Sequence, residues 1–267
     1  MKKLVVPHYP DEDSKLRATK LQVRRGGNCP NTLEVLQQLL EERGGGHDVI
    51  PYLVSCLPDA GAPATSTILG SFGAESLVDF SHCVYRANHK EPASSYIIRS
   101  EATGSRTLVN YNGLPEMTID EFVAAADGVG DGAWFHFEGR IPETALQCIR
   151  YLRQSFPRAS VSVEVEKPGR EGLEHLAAEA DVVFYSRSWA ESKGYQSAQQ
   201  CLSAQSGVAR RATVGAGDTL IAGILFGLLC HEDWDAETKV QFAVQLATRK
   251  VQRDGFEGVG AGVTKCL

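Results

Sequence analysis

A glycine-rich turn that leads directly into an apolar helix is the segment of this chain best suited to chemistry. The run from Thr213 to Thr219 reads Thr-Val-Gly-Ala-Gly-Asp-Thr, and mostly apolar residues follow from Leu220 to Cys230. Glycines let a backbone turn tightly and approach a ligand closely. The free N–H groups at a helix start, together with the helix dipole, favour an anion. This turn is therefore a suitable place for a phosphate whose charge must be stabilised during transfer.

Asp218 lies in the same turn, and its residue type allows two interpretations. It can be an acidic residue in the first helical turn that interacts favourably with the helix dipole. It can also be a general base, because a carboxylate beside an anion hole is able to accept the proton of an attacking hydroxyl. Spacing alone leaves both interpretations open.

A second glycine-bearing run, Arg24 to Asn31, also precedes a predicted helix. Pro30 suits the first helical turn. Asn28 can cap that helix. In the alternative interpretation, the amides of Asn28 and Asn31 point at sugar hydroxyls and Gly27 gives the substrate room.

Signatures of other function classes are missing from the sequence. No Gly-Lys-Ser/Thr ends a Walker A loop, and Leu220 stands where a dinucleotide fingerprint needs its third glycine, which argues against a nucleotide-cofactor oxidoreductase. The seven cysteines form no Cys-x-x-Cys, and the histidines form no His-Glu-x-x-His. We therefore expect neither a disulfide framework nor a zinc site.

Charge and hydropathy exclude further partners. The net charge is −6 and no long Lys/Arg block occurs, which gives no support to nucleic-acid or membrane-surface binding. The N-terminus has no apolar signal core. The longest apolar run, Leu220 to Cys230, is far shorter than the roughly 20 residues of a membrane helix. We expect a cytoplasmic protein with reduced thiols.

Apolar periodicity predicts alternating strands and helices, and hence a mostly parallel sheet covered by helices. Helices are predicted over Asn31 to Arg43, Glu143 to Gln154, Glu171 to Ala178, Asp218 to Cys230 and Ala236 to Arg253. Strands are predicted over Leu21 to Val23, Ile50 to Ser55, Ser94 to Ile98, Thr107 to Tyr111, Trp134 to Phe137, Ala159 to Val165 and Asp181 to Tyr185, with a loop over Pro58 to Thr67. The strands on either side of residues 101–105 form a predicted hairpin in a small separate sheet.

Taken together, the two glycine-bearing runs resemble the signatures of the ribokinase-like (PfkB) carbohydrate kinases. Gly215-Ala216-Gly217-Asp218 resembles the late signature, and Gly26-Gly27-Asn28 the early one. The stretches that resemble the ketohexokinase branch in particular are Tyr9-Pro10 with Asp13-Ser14, Gly104 to Thr107, His136 to Arg140, Val161 to Pro168, Gly194 to Ala198 and Gly255 to Gly258. They occur in the order of that family and span most of the chain.

The resemblance implies one doubly wound α/β domain over residues 1–267, carrying a small β-sheet lid with strands from about 14–25 and 94–111. It implies phosphorylation of a ketose such as fructose at a hydroxyl, with ATP as phosphoryl donor and Mg²⁺ bridging its phosphates. Because the lid strands often build a dimer in this family, it also implies a homodimer through the lid.

The residue roles implied by the resemblance fall into three groups. Asp218 is the catalytic base, and the amides of Gly215, Ala216 and Gly217 form the anion hole. The sugar is contacted by Gly27, Asn28 and Asn31. The residues placed at the nucleotide are Arg106, Thr213, Ala247, Gly255 and Gly258, and no residue is assigned to a metal.

The chain also departs from the family pattern. Only Met1 to His8 precede the matching Tyr-Pro segment, so a first core strand and its sugar-binding aspartate are expected to be absent. The residues between Ala198 and Thr213 are too few for the strand, nucleotide loop and hairpin of the family, and Ala212 replaces the usual aspartate. Two interpretations stay open: an active sugar kinase, or a catalytically impaired relative, truncated or alternatively spliced, that only binds sugar, nucleotide or a partner.

Overall fold

The computed structural model describes residues 1–44, 49–209, 211–214 and 217–263. The chain forms two compact units. Unit 1 consists of Met1–Gly27, Ser55–Ser76 and Cys83–Glu116, and unit 2 consists of Asn28–Val54, Leu77–His82 and Met117–Leu267. The single lid-bearing domain over residues 1–267 stays a prediction.

Strands and helices alternate through most of the chain, as the periodicity predicted. The strands are β1 Lys2–Val6, β2 Lys20–Val23, β3 Cys56–Leu57, β4 Val84–Tyr85, β5 Ser94–Ser100, β6 Arg106–Tyr111, β7 Trp134–Phe137, β8 Ser160–Val165, β9 Val182–Tyr185 and β10 Arg211–Val214. The helices are α1 Asn28–Arg43, α2 Pro63–Gly70, α3 Ile119–Val129, α4 Pro142–Ser155, α5 Leu173–Glu179, α6 Arg187–Ser192, α7 Ala198–Ala204, α8 Asp218–Cys230 and α9 Ala236–Val251.

Unit 1 contains a four-stranded sheet in the order β2-β1-β5-β6. Strand β1 pairs antiparallel to β2 and parallel to β5. Strands β5 and β6 form an antiparallel hairpin, with Tyr96 opposite Val109. The predicted hairpin in a separate sheet is confirmed.

Unit 2 contains a four-stranded sheet in the order β10-β9-β8-β7, in which every neighbouring pair is parallel. Because side chains alternate across a strand, successive residues of β9 face opposite sides of the sheet. Val183 packs into a core cluster with α4 and α5, whereas Phe184 packs with α8 and α9. Helices therefore cover both faces, and the predicted α/β fold class is confirmed.

Helix α8 is apolar around its circumference because it is buried on several sides. Its residues Thr219 to Gly227 are buried. Gly223 permits this packing, since a Cβ at that position would lie 2.8 Å from the Ala243 Cα of α9. Helix α1 packs against another side of α8, in a core cluster that contains Leu39 of α1 and Phe226 of α8. The start of α8 is thereby fixed against the sheet. No helix within the described residues is long and apolar enough to cross a bilayer.

Several local predictions were wrong or incomplete. Ile50 to Ser55 is not a strand: Tyr52 makes only an isolated bridge, and the neighbouring Pro51 has no N–H to donate to a ladder. The predicted loop over 58–67 contains the start of α2, which places Pro63 in its first turn, a position that tolerates proline. Helix α1 starts at Asn28, three residues before the predicted start.

Helix α3 is among the elements that the periodicity did not reveal. A capping box marks its start in the sequence: the Thr118 side chain accepts a hydrogen bond from the Glu121 N–H, and the Glu121 side chain accepts one from the Thr118 N–H. A threonine followed three residues later by glutamate is the sequence signal of such a start.

The segment between Ala198 and Thr213 is as short as the sequence indicated. It contains α7 and the first part of β10, with Ala212 paired to Val183 of β9. In the part that the structure describes, residues 198–209 contain no strand or hairpin before β10, only an isolated bridge between Ser206 and Ala209.

Candidate active site

Asp218 is the first residue of α8, directly after the glycine turn that follows β10. Its carboxylate is held by helix α1, because Asn31 Nδ2 donates a hydrogen bond to Asp218 Oδ2 over 2.7 Å. Thr32 Oγ1 also donates to the Asp218 carbonyl oxygen over 3.2 Å. Two elements distant in sequence therefore fix this carboxylate at the helix start.

Burial raises the pKa of Asp218 to about 6. The hydrogen bond from Asn31 opposes this shift, and the negative charges of Glu164 and Glu138 reinforce it. A carboxylate that titrates this close to neutrality can accept a proton at physiological pH and release it again. The arrangement is compatible with a general base as well as with a residue that favours the helix dipole.

Glu138 and Glu164 lie at the carboxyl ends of neighbouring parallel strands, where open α/β sheets bind their ligands. Glu138 follows β7 directly, and Glu164 is near the end of β8. The pKa of Glu138 is raised by burial and by the charge of Glu164, while the Cys29 N–H, which donates to Glu138 Oε1 over 2.9 Å, lowers it. Together with Asp218 they form an acidic cluster of three buried or partly buried carboxylates.

The amide of Asn28 points into the same cluster. Its Nδ2 donates to Glu164 Oε2 over 2.8 Å and to Glu166 Oε2 over 3.3 Å. Asn28 is the first residue of α1, and Gly27 precedes it with a positive φ of 103°. Asn28 and Asn31 are three residues apart and therefore share one face of the first turn. The structure thus brings Asn28, Asn31 and Asp218 together.

The residues predicted to contact nucleotide in unit 2 lie on three neighbouring elements. Thr213 is in β10 opposite Phe184 of β9. Ala247 of α9 packs against the cluster that contains the first turns of α8. Gly255 and Gly258 both have positive φ, of 97° and 67°, in the turn after α9.

That turn is tied to helix α1 through one side chain. Gln38 Nε2 donates to the Phe256 carbonyl oxygen over 3.0 Å, and Gln38 Oε1 accepts from the Gly260 N–H over 3.1 Å. The turn, α9 and α8 are therefore positioned as one packed group.

Of the other predicted residues, Gly27 and Gly217 directly precede Asn28 and Asp218 in the chain. Gly27 and Arg106 belong to unit 1, where Arg106 is an exposed residue at the start of β6, opposite Arg99. Gly217 is exposed and extended, with φ −119° and ψ 169°. Gly215 and Ala216 lie outside the described residues.

Sequence reasoning gave no role to the polar side chains of β7 and β8. His136 of β7 is paired in register with Ser162 of β8. Its ring nitrogens lie 2.9 Å from Ser162 Oγ and 3.1 Å from Glu164 Oε1. A signal was present: residues 136 and 138, in and directly after β7, and residues 162 and 164 in β8 are polar at alternate positions, which places each pair on one face.

Comparison with known proteins agrees with the resemblance seen in the sequence motifs. No family model matches the chain. In sequence it is similar to ketohexokinase from Mus musculus, with 26% identity over 302 aligned positions that cover 96% of this chain and 94% of the mouse protein.

Solved structures extend the similarity to the fold. Arabidopsis thaliana ribokinase complexed with ribose and ATP has a TM-score of 0.72 at 15% identity. The match covers 99% of this chain and 94% of the ribokinase chain. A PfkB protein from a Polaromonas species has a TM-score of 0.73 at 16% identity, covering 100% and 97% of the two chains. The resemblance seen in the motifs is confirmed: the chain has the fold of the ribokinase-like sugar kinases and is similar over nearly its whole length to a ketohexokinase.

Proposed function

We propose that the chain is an ATP-dependent sugar kinase that phosphorylates a ketose such as fructose. The observation that carries the proposal is Asp218, held by Asn31 at the start of a buried helix, with a pKa raised to about 6 in a fold shared with ribokinase. The similarity to ketohexokinase favours a ketose over other hydroxyl substrates.

In the proposed reaction, MgATP and the sugar are both substrates. Asp218 accepts the proton of the attacking hydroxyl, whose oxygen forms a bond to the γ-phosphorus while the bond to the β-phosphate oxygen breaks and ADP leaves. The amides of Gly215, Ala216 and Gly217 stabilise the transferring phosphoryl group. Asn28 and Asn31 bind the sugar. The side-chain amide of each gives up its hydrogen bond to a carboxylate and donates to a sugar hydroxyl instead.

The direct test is release of ADP from MgATP by the purified protein in the presence of single sugars. We expect fructose to give a higher rate than ribose or adenosine. If none of these acceptors raises ADP release above the rate without acceptor, the kinase proposal fails for this chain.

Activity is expected to fall on the acid side of pH about 6, because Asp218 must be ionised to accept a proton. Below that pH, kcat/KM for the sugar should decrease about tenfold per pH unit, and above it the value should be constant. The measurement is a pH–rate profile at saturating MgATP, with folding checked at each pH by circular dichroism. A profile that stays flat down to pH 5 would contradict the role of Asp218 as base.

A catalytically impaired relative is the second candidate, and the short segment before β10 favours it. Between Ala198 and Thr213 the described residues form α7 and the first part of β10, with Ala212 in the strand. Phosphoryl transfer depends almost entirely on positioning and electrostatics, so a smaller nucleotide site would lower the rate. Calorimetry with fructose and a non-hydrolysable ATP analogue separates binding without turnover from absence of binding.

A second copy of the chain is the partner proposed for the sheet of unit 1. One face of this sheet exposes apolar side chains on all four strands, which are Leu4, Leu21, Val23, Tyr96, Val109 and Tyr111. An exposed apolar surface spread over neighbouring strands is typical of a protein–protein contact.

Leu21→Asp combined with Val109→Asp is expected to convert a dimer into a monomer, because both side chains are about 60% exposed on that face. Light scattering coupled to size-exclusion chromatography measures the mass. The matched control is Leu108→Asp, since Leu108 is exposed on the opposite face of β6. A monomeric wild type, or a double variant that stays dimeric, would refute the contact.

A further inference from the structure

Three side chains with different donor atoms converge in unit 2 beside Asn28. Cys29 Sγ, a ring nitrogen of His136 and a carboxylate oxygen of Glu164 all lie within 4.8 Å of one another. They come from α1, β7 and β8, so only the tertiary structure brings them together. The glutamate and histidine side chains are 5% and 11% exposed, and Cys29 is partly buried.

The spacing of the donor atoms fits a four-coordinate ion with little movement. Zinc binds thiolate at about 2.3 Å, imidazole nitrogen at about 2.0–2.1 Å and carboxylate oxygen at about 2.0–2.2 Å, which places tetrahedral ligand atoms roughly 3.3–3.7 Å apart. His136 Nε2 and Glu164 Oε1 are already 3.1 Å apart. Because the three donor atoms lie within 4.8 Å of one another, the thiol has to approach by about 1 Å or less, which a small side-chain adjustment allows.

The imidazole is oriented by a second layer of hydrogen bonds. His136 Nδ1 lies 2.9 Å from Ser162 Oγ, and that oxygen also accepts from Trp134 Nε1 over 2.9 Å. With Nδ1 held by the serine hydroxyl, Nε2 lies 3.1 Å from Glu164 Oε1. Metal-ligating histidines are oriented by such a partner on the other ring nitrogen.

The surrounding charge also suits a cation. Glu138, which accepts from the Cys29 N–H, and Asp218 add their negative charges to that of Glu164. Burial and these carboxylates raise the pKa of the Cys29 thiol well above its ordinary value, so the free thiol is protonated. A bound dication reverses this preference and releases the thiol proton to solvent.

We propose that Cys29, His136 and Glu164 form a binding site for a borderline-soft divalent cation, Zn²⁺ in the first instance. Mixed sulfur, nitrogen and oxygen donors favour Zn²⁺ over Mg²⁺, which prefers oxygen ligands only. The fourth position falls to Glu138 or to a water. No Cys-x-x-Cys spacing announces this site, because its ligands are contributed by three separate elements.

The test uses the full chain and the metals alone. Calorimetry with Zn²⁺ is expected to show one ion per wild-type chain, and Co²⁺ is expected to give a thiolate-to-cobalt charge-transfer band. Cys29→Ser and Glu164→Gln should each weaken Zn²⁺ binding at least tenfold, and Cys29→Ser should remove the band. The matched control is Cys230→Ser, which alters a partly buried cysteine at the end of α8 and should bind as wild type.

The wild-type cobalt spectrum decides the proposal even where a variant fails to fold. A wild type that binds no Zn²⁺ by calorimetry, a Co²⁺ complex without the thiolate band, or a Cys29→Ser protein that binds Zn²⁺ as tightly as wild type overturns it. Mg²⁺ at the same concentration should produce no binding heat at this site.

A separate kinetic experiment measures the effect of Zn²⁺ on the sugar kinase activity, and it rests on the proposed function. Ligation through Glu164 Oε1 fixes the carboxylate whose Oε2 accepts from Asn28, and this hinders the exchange of the Asn28 amide to a sugar hydroxyl. We therefore expect Zn²⁺ to raise the KM for sugar at least tenfold in wild type and in Cys230→Ser but not in Cys29→Ser. Metal binding without inhibition would leave the site in place and count against the role of Asn28, and an inactive protein that binds Zn²⁺ would count against the kinase alone.

Discussion

Asp218→Asn is expected to lower kcat for MgATP-dependent phosphorylation of fructose roughly 10²- to 10⁴-fold, the range for loss of a positioned general base. The amide keeps the size of the carboxylate, and its oxygen can still accept the hydrogen bond from Asn31 Nδ2. It cannot take the proton of the attacking hydroxyl. Steady-state ADP release by wild type and variant at saturating substrates measures the effect.

Asp233→Asn is the matched control for this substitution. Asp233 lies in the connection between α8 and α9, and its side chain is 80% exposed, so the same chemical change there should leave kcat within twofold. Fructose binding by the Asp218 variant, followed by calorimetry, should persist. Equal ADP release by wild type and Asp218→Asn would show that this carboxylate is not the base.

The same substitution is expected to stabilise the folded protein at pH 7 by about 1 to 3 kcal/mol. In the folded state the pKa of Asp218 is raised from 3.8 to about 6, mainly by burial. Each pKa unit corresponds to about 1.4 kcal/mol, so the ionised carboxylate opposes folding at neutral pH. Asparagine carries no charge and removes this opposition. Urea unfolding of both proteins, monitored by circular dichroism, gives the difference in free energy of unfolding.

The pH dependence of this difference has a defined sign. Between the unfolded pKa of Asp218 and its raised folded pKa, the folded state binds more protons, so lowering the pH through this window stabilises wild type. The advantage of Asp218→Asn should therefore be full above pH about 6 and shrink towards pH 4. The expected outcome fails if the variant is less stable than wild type at pH 7, or if its advantage does not change with pH.

Loss of activity together with gain of stability separates a site residue from a structural one. A carboxylate that served only the helix dipole would destabilise the protein when neutralised, because acidic groups at a helix start are favourable. A base kept buried beside Glu138 and Glu164 has the opposite effect on stability. The two measurements on one variant therefore decide between the two interpretations of Asp218.

Much of the fold followed from local patterns in the sequence. Strand β7 and helix α8 have the predicted bounds, because each is a mostly apolar run with a clear start and end. The hairpin β5–β6 was likewise visible from two strand patterns around a short polar turn. The failure at Ile50 to Ser55 shows the limit: its apolar residues are compatible with a strand, but pairing depends on what lies beside them.

The candidate site, like the fold, could be predicted from the sequence only in part. The glycine turn with Asp218, and the pair Asn28 and Asn31, were recognisable because glycine, aspartate and asparagine at helix starts have local physical meaning. Their contact was not recognisable, because the 2.7 Å bond from Asn31 to Asp218 joins residues 187 positions apart. The roles of Gly215 and Ala216 stay predictions from the motif.

By itself, the sequence determined most of the helices and strands, their alternation, and where an anion and a general base could be placed, since these depend on neighbours a few residues apart. Only the tertiary structure decided which carboxylates surround Asp218 and that Cys29 meets His136 and Glu164. The physical reason is that pKa values and coordination depend on burial and on distances of a few ångströms between atoms from separate elements. Packing of α1 and α8 against the carboxyl ends of the parallel strands sets those distances, and no local pattern in the chain encodes them.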